Sequence, residues 1–130
     1  KKIFLRAMIK KFKKKNIRVS LFIEPKKADV ILAKKLGADC VELHTGKYCN
    51  LFNKNKKIKK EYEKIRKSAS LAKKFLLDVH AGHGLTYSTA LQVSKIKNIS
   101  EFNIGHFIIS ESIFISLKKT IIKFRKIINS

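Results

Sequence analysis

Cysteine is scarce in this chain. Only Cys40 and Cys49 occur, nine positions apart and outside any CxxC or Cys/His ligand spacing. That leaves neither a zinc site nor a disulfide framework and suits a reduced, cytoplasmic setting. Long apolar runs are missing as well. Lysines punctuate every hydrophobic segment, so no stretch approaches the roughly 20 apolar residues that a membrane span needs. The first fifteen residues lack a continuous apolar core and a small-residue cleavage site, and do not read as a secretory signal. Acid is the third scarcity: 9 Asp and Glu face 31 Lys and Arg, a formal charge of +22. A field of that sign favours phosphate-bearing partners, nucleic acids included. The lysines, however, are spread along the whole chain instead of gathering on one face with interleaved aromatics. They keep company with many Ile, Asn and Phe, the pattern that drift toward AT-rich codons leaves. The densest basic runs, 13–15 and 54–60, read as solvated helix ends or loops. A basic nucleic-acid-binding module is therefore the secondary reading.

What is present is enough for one domain with a core, since 45% of the 130 residues are hydrophobic. The chain does not begin with Met, and Ile3, Met8, Ile9 and Phe12 between lysines look like the inside of a helix, as if entered partway through a larger protein. A covered strand is expected over Ile17 to Ile23, ended by Glu24-Pro25. A helix follows with Ala28, Ile31, Leu32 and Leu36 on its buried side, stopped by Gly37. A second strand is expected over Cys40 to His44, then a polar loop through Asn55 and a helix over about 57–74. The third strand is expected over Phe75 to Val79, running into the glycine-bearing turn His80 to Tyr87 and a short helix through Val93. A fourth, near Glu101 to Ile104, leads into Gly105-His106 and a helical period from Phe107 to Ile128.

Strands alternating with helices argue for α/β architecture with a parallel sheet. Four such units make about half of an eightfold (β/α)8 TIM barrel of about 250 residues. A half barrel alone would expose two sheet edges and an open inner face. A missing N-terminal half, a second copy or rearrangement into a flavodoxin-like sheet would each cover it, and the missing half is favoured.

In parallel β/α folds the reactive groups gather at the C-terminal ends of strands. Glu42 and His44 are expected at the end of the second strand, His80 and His83 at the third, Gly105 and His106 at the fourth. His83 stands between Gly82 and Gly84, where a backbone approaches a ligand closely and an imidazole exchanges a proton near neutral pH. The bland reading is a turn histidine bonded to a carbonyl. Gly105-His106 opens a helix after a strand, a place for a phosphate or simply a tight turn. Glu42 is an acid in an apolar run, there for a substrate or for an ion pair with a residue such as Arg18.

Val19-Ser20-Leu21-Phe22-Ile23, Val41-Glu42-Leu43-His44-Thr45-Gly46 with Tyr48, Ala81-Gly82-His83-Gly84-Leu85-Thr86-Tyr87, and Asn103-Ile104-Gly105-His106 resemble the pyridoxine 5′-phosphate synthase family in order and approximate spacing. The resemblance covers nearly the whole chain and corresponds to the fifth to eighth strands of that barrel, with residues 1–130 as a partial barrel domain and the N-terminal half absent. It implies an enzyme, a transferase-type condensation of 1-deoxy-D-xylulose 5-phosphate with 3-amino-2-oxopropyl phosphate to pyridoxine 5′-phosphate, phosphate and water. It implies no organic cofactor or redox metal, no membrane, and a cytoplasmic homo-oligomer. By motif, His83 resembles the proton donor and Glu42 the transition-state stabiliser. Gly84, Gly105 and His106 resemble the residues that bind the aminoketone phosphate. His80 departs from the Asn or small polar residue expected there. No segment matches the family's other catalytic His and Glu or its arginine contacts, so this portion alone is expected to be inactive. Another phosphate-ligand enzyme on the same barrel remains an alternative.

Overall fold

A computed structural model describes residues 2–129. The order is α1 (Lys2–Lys14), β1 (Ser20–Ile23), α2 (Lys27–Leu36), β2 (Cys40–His44), α3 (Gly46–Asn53), α4 (Lys59–Lys74), β3 (Asp78–Gly82), α5 (Tyr87–Ser94), β4 (Glu101–Asn103), α6 (His106–Ile115) and α7 (Leu117–Ile128). All strands are parallel and lie side by side in chain order, with Phe22, Glu42, His80 and Glu101 in one register row. This is the α/β arrangement of half a (β/α)8 barrel. Consecutive order has no reversal point, so the flavodoxin-like sheet is not formed. No helix among the described residues is long and apolar enough to cross a membrane.

The two faces of the sheet have opposite chemistry. Side chains alternate along a strand, and Val41, Leu43, Val79 and Ala81 lie in the buried cluster with Leu21, Ile23, Phe102 and Ile104 packed at its margin. The helices contribute Val30, Ala33, Ile65, Ala69, Ala72 and Val93 to the same core. The buried side of α2 is thus Val30, Ala33 and Leu36, whereas Ala28 is exposed and Ile31 and Leu32 are half-buried. The other sheet face carries Ser20, Phe22, Cys40, Glu42, His44, His80, Glu101 and Asn103, and is polar apart from Phe22 and Cys40. The apolar core therefore lies wholly between sheet and helices, and the open face contributes chemistry in place of a core.

Several elements differ from expectation for identifiable reasons. The stretch after β2 is a helix, α3, because Tyr48 and Cys49 turn into the core with Phe52 at its edge, while Lys47, Asn50 and Asn53 stay outside. β3 begins three residues later than expected because α4 closes first: the Leu77 N–H donates to Ala72 O and the Leu76 N–H to Lys73 O, with Leu76 left-handed at φ 56°. The same 6→1 and 5→2 closure ends α1, α2 and α3, through Asn16, Gly37 and Asn55. Gly37 alone is a glycine; the other three closures carry no glycine to mark them. The last helical stretch is two helices. Ser116, at φ 75°, breaks it, and its hydroxyl then accepts from the Lys119 N–H to start α7.

At the N-terminal end of the sheet, Lys13 Nζ lies 2.6 Å from Asp39 Oδ1 and the Val19 N–H donates to Asp39 Oδ2. Arg18 meets Asp78 at 2.6 Å. Arg18 therefore serves the opposite strand end from Glu42, and the alternative of an ion pair between those two is not realised.

Two tests follow from these contacts. Leu76 is 86% exposed, so Leu76→Gly gives up no burial and relieves a left-handed leucine. It should raise unfolding free energy by about 1 kcal/mol in urea titration. The Lys13 ammonium, then the Val19 N–H, hold the Asp39 carboxyl below the usual carboxylate range. A depressed folded-state value adds stability above the unfolded value of about 3.9 and loses it as pH falls through the folded one. Asp39→Asn should lower stability at pH 7 by about 1–2 kcal/mol, and its deficit should shrink on acidification below pH ~4.

Candidate active site

Three strand ends converge. Gly82, the last residue of β3, and the His83-Gly84 turn after it lie between the turn after β2 and the turn after β4. The link to β2 is Thr45, which has no exposed surface. Its N–H donates to Gly82 O at 2.9 Å, and its hydroxyl stands 2.7 Å from both Gly82 O and His83 O. That bond holds the His83 backbone at φ 77°, with Gly84 following at φ 78°. Two successive left-handed residues are normal for glycine but strained for histidine. The His83 carbonyl accepts from the Thr45 hydroxyl, while among the described residues no bond from the His83 ring to a carbonyl is made.

The small residues are small for different reasons. A Cβ on Gly46 would sit 2.6 Å from His83 Cδ2 and 2.8 Å from His44 Nε2, so both imidazoles rest against the start of α3. A Cβ on Gly82 would collide with the Glu42 carboxylate. Gly84 combines its positive φ with a Cβ position 3.3 Å from Cys49 Cβ. Gly105 has an ordinary φ of −104° and open space where a side chain would go. The tight-turn explanation therefore fails for Gly105, and nothing in the fold requires its lack of a side chain.

Glu42 is half-buried, and its carboxylate accepts from Asn103 Nδ2 at 2.6 Å across the β3 strand. His80 is not on the turn where it was expected. It lies inside β3, 5% exposed between Glu42 and Glu101 of its register row, with Nδ1 3.5 Å from Glu101 Oε1. The shifted start of β3 moves it there, away from the strand-end cluster. Thr45, Gly46 and Asn103 were missed as site residues. Asn103 was legible from parity, two residues from Glu101 on the same face; Thr45 had no signal beyond preceding a glycine.

A cavity of about 450 Å³ opens between the turns after β3 and β4, lined by His83, Gly84, Thr86, Asn103, Gly105 and His106 among others. Both helices at its rim begin there. The first turn of α5 is closed by its own side chains, since Thr86 accepts from the Thr89 N–H and Thr89 from the Thr86 N–H. The first turn of α6 has no side-chain cap, so its leading N–H groups stay available. A larger hollow of about 600 Å³ between α2 and α4 is lined by Lys26, Lys27 and Lys67 and contains none of Glu42, His83, Gly84, Gly105 and His106.

The family model described as pyridoxal phosphate biosynthesis protein PdxJ matches residues 1–130. The chain belongs to the PdxJ family. Relatives named pyridoxine 5′-phosphate synthase include those of Pelagibacter ubique, 55% identical over 125 residues, and of Sulfurihydrogenibium sp., 44% identical over 125 residues. These alignments take in 96% of this chain and 52% and 51% of the two relatives. The Zymomonas mobilis protein is 42% identical over 126 residues, 97% of this chain and 48% of its own length. The chain thus spans about half the length of the curated PdxJ-family relatives it matches.

Strain at His83 can be measured apart from any activity. His83→Gly should be more stable than His83→Ala by about 1 kcal/mol in denaturant, because only glycine adopts the left-handed conformation freely. Equal stabilities would mean that the turn relaxes out of that conformation.

Proposed function

We propose that this chain supplies the proton donor and one phosphate site of a pyridoxine 5′-phosphate synthase, and that the complete barrel condenses 1-deoxy-D-xylulose 5-phosphate with 3-amino-2-oxopropyl phosphate. Residues 1–130 correspond to the latter four β/α units, and the other units provide the remaining catalytic groups. The observation that carries the reading is the cavity between the last two strand ends, with His83 on one wall and the uncapped start of α6 on the other.

A phosphate in that cavity would accept from the leading N–H groups of α6, where the helix dipole favours negative charge. The missing side chain of Gly105 leaves room for it, His106 flanks it at the exposed rim, and Gly84 brings the opposite backbone close. Pyridine ring closure expels water, and a departing hydroxyl leaves with a proton. His83, in its imidazolium form, donates that proton and returns to neutral imidazole. Glu42, held by Asn103, presents a carboxylate that stabilises positive charge on the condensing nitrogen. Both phosphorylated substrates are anionic, which the basic chain attracts at a distance. Residues 1–130 by themselves would bind at most one phosphate and turn nothing over.

The test is an assay of pyridoxine 5′-phosphate formation with the full-length gene product carrying this segment. His83→Asn should lower kcat by about 10²- to 10⁴-fold with little change in KM. Gly105→Leu, which fills the cavity, should act mainly through the KM of the aminoketone phosphate. Absence of product from a folded parent protein would overturn the reading.

A further inference from the structure

His83 is touched from behind by a second imidazole that the roles above leave unused. His44 ends β2, and its Nδ1–H donates to Glu24 Oε1 at 2.8 Å. A carboxylate only accepts, so this bond sets the tautomer: the proton of neutral His44 is on Nδ1 and Nε2 is bare. Nε2 lies on the side of Gly46, where His83 Cδ2 also lies. The His44 and His83 rings meet edge to face, centroids 4.6 Å apart and planes at 71°. Phe22 closes the other flank of His44 at 5.1 Å.

From this geometry we infer that Glu24 and His44 are positioning residues for His83, fixing the orientation of its ring and coupling its protonation to a second titrating pair. The inference rests on the proposed synthase reading for the use of His83 as a proton donor. The His83 backbone is clamped by Thr45, but among the described residues no hydrogen bond is made by its ring, and it borders open space on both sides: the 450 Å³ cavity toward β4, and a hollow lined by His44, Gly46, Lys47 and Asn50 toward α3. Without a wall the ring is free to swing into either. His44 and Gly46 form that wall, and Glu24 locks His44.

The charged and titrating groups around the pair are Glu24 from the β1–α2 turn, Glu42 on the same face of β2, Lys47 and Cys49 from α3, and His83 itself. Protonated His44 beside Glu24 forms an ion pair that is neutral overall. With Glu24 uncharged, a protonated His44 places an uncompensated positive charge against His83, and the two rings then compete for one proton. Neither Glu24 nor His44 lines the phosphate cavity, so loss of the pair acts on proton transfer and leaves phosphate binding intact.

The experiment uses Glu24→Gln and His44→Asn in the full-length gene product, with the histidine ring C–H signals followed by NMR across pH 5–9 alongside kcat and KM. Glu24 is 47% exposed on its side chain, so the isosteric Gln is compatible with folding, and Asn at 44 keeps an N–H donor for Glu24. The expected result is a His83 titration midpoint moved to lower pH in Glu24→Gln and one-step His83 titration in His44→Asn. The kcat should fall about 10-fold, as for loss of a partner that orients an active group, with KM for both substrates unchanged. A His83 midpoint identical in parent and Glu24→Gln overturns the inference, whatever happens to kcat, because a purely structural role moves stability and not this titration. A moved midpoint in a protein that makes no pyridoxine 5′-phosphate sustains the coupling and overturns the synthase reading instead.

Discussion

Because successive residues of a strand point to opposite faces, the parallel register that aligns Phe22, Glu42, His80 and Glu101 obliges each strand to give one face to the helices and one to chemistry. Ile23, Leu43, Ala81 and Phe102 go to the packed side in the same row-by-row fashion. A slip of one residue in any pair would drive Glu42 and His80 into the apolar layer, where their unpaired polar groups are expensive, and expel two core side chains. Register is therefore set by burial, and the site inherits its geometry from it. The bond from Asn103 to Glu42, which spans β3, is possible only while all three strands stay in step.

At the strand ends this regularity gives way to specific contacts. The Thr45 hydroxyl holds two carbonyls of the β3 turn, and these hold His83 in a conformation that histidine adopts only under constraint. Gly46, Gly82 and Gly84 each lack a side chain because an imidazole, a carboxylate or the α3 backbone and Cys49 already takes the space. The strain is small beside the core that anchors it, with Leu43, Tyr48, Ala81 and Leu85 essentially buried around the turn. A rigid apolar layer directly beneath a strained turn gives the ring of His83 a fixed origin and leaves its far end to the open face.

The alternation of β-branched runs with amphipathic stretches carried the α/β class and the parallel, half-barrel order, and the glycine-flanked His83 and the Gly105-His106 step marked the two turns. What stayed hidden was hidden for physical reasons. Leu76, Asn16 and Asn55 take the left-handed role that glycine signals at Gly37, so the closing turn after α4 went unseen and the start of β3, and with it the place of His80, was misjudged by three residues. The eight residues of α3 are too short for a full helical period to stand out, and only their docking through Tyr48 and Cys49 makes them a helix. Contacts among Glu24, His44 and His83 join residues up to 59 apart and depend on three strands meeting in space; no local pattern encodes them.

The charge balance belongs to the same economy. Asp39 and Asp78 are matched with Lys13 and Arg18 at the floor of the sheet, and Glu61 and Glu63 with Lys64 and Arg66 along α4. Burial pulls the Glu61 carboxyl upward, yet Lys64 and Lys47 outweigh it and hold it below the ordinary range. The acids that face the site, Glu24 and Glu42, are instead bonded to His44 and Asn103, neither of which is a lysine or arginine. Near the strand ends the negative groups thus keep short, directional bonds, while the unmatched lysines elsewhere act only as a diffuse field that salt screens over a Debye length of about 8 Å. Orientation at the site and attraction toward it are therefore separable: the first lies in a few hydrogen bonds, the second in a composition that could change residue by residue without disturbing them.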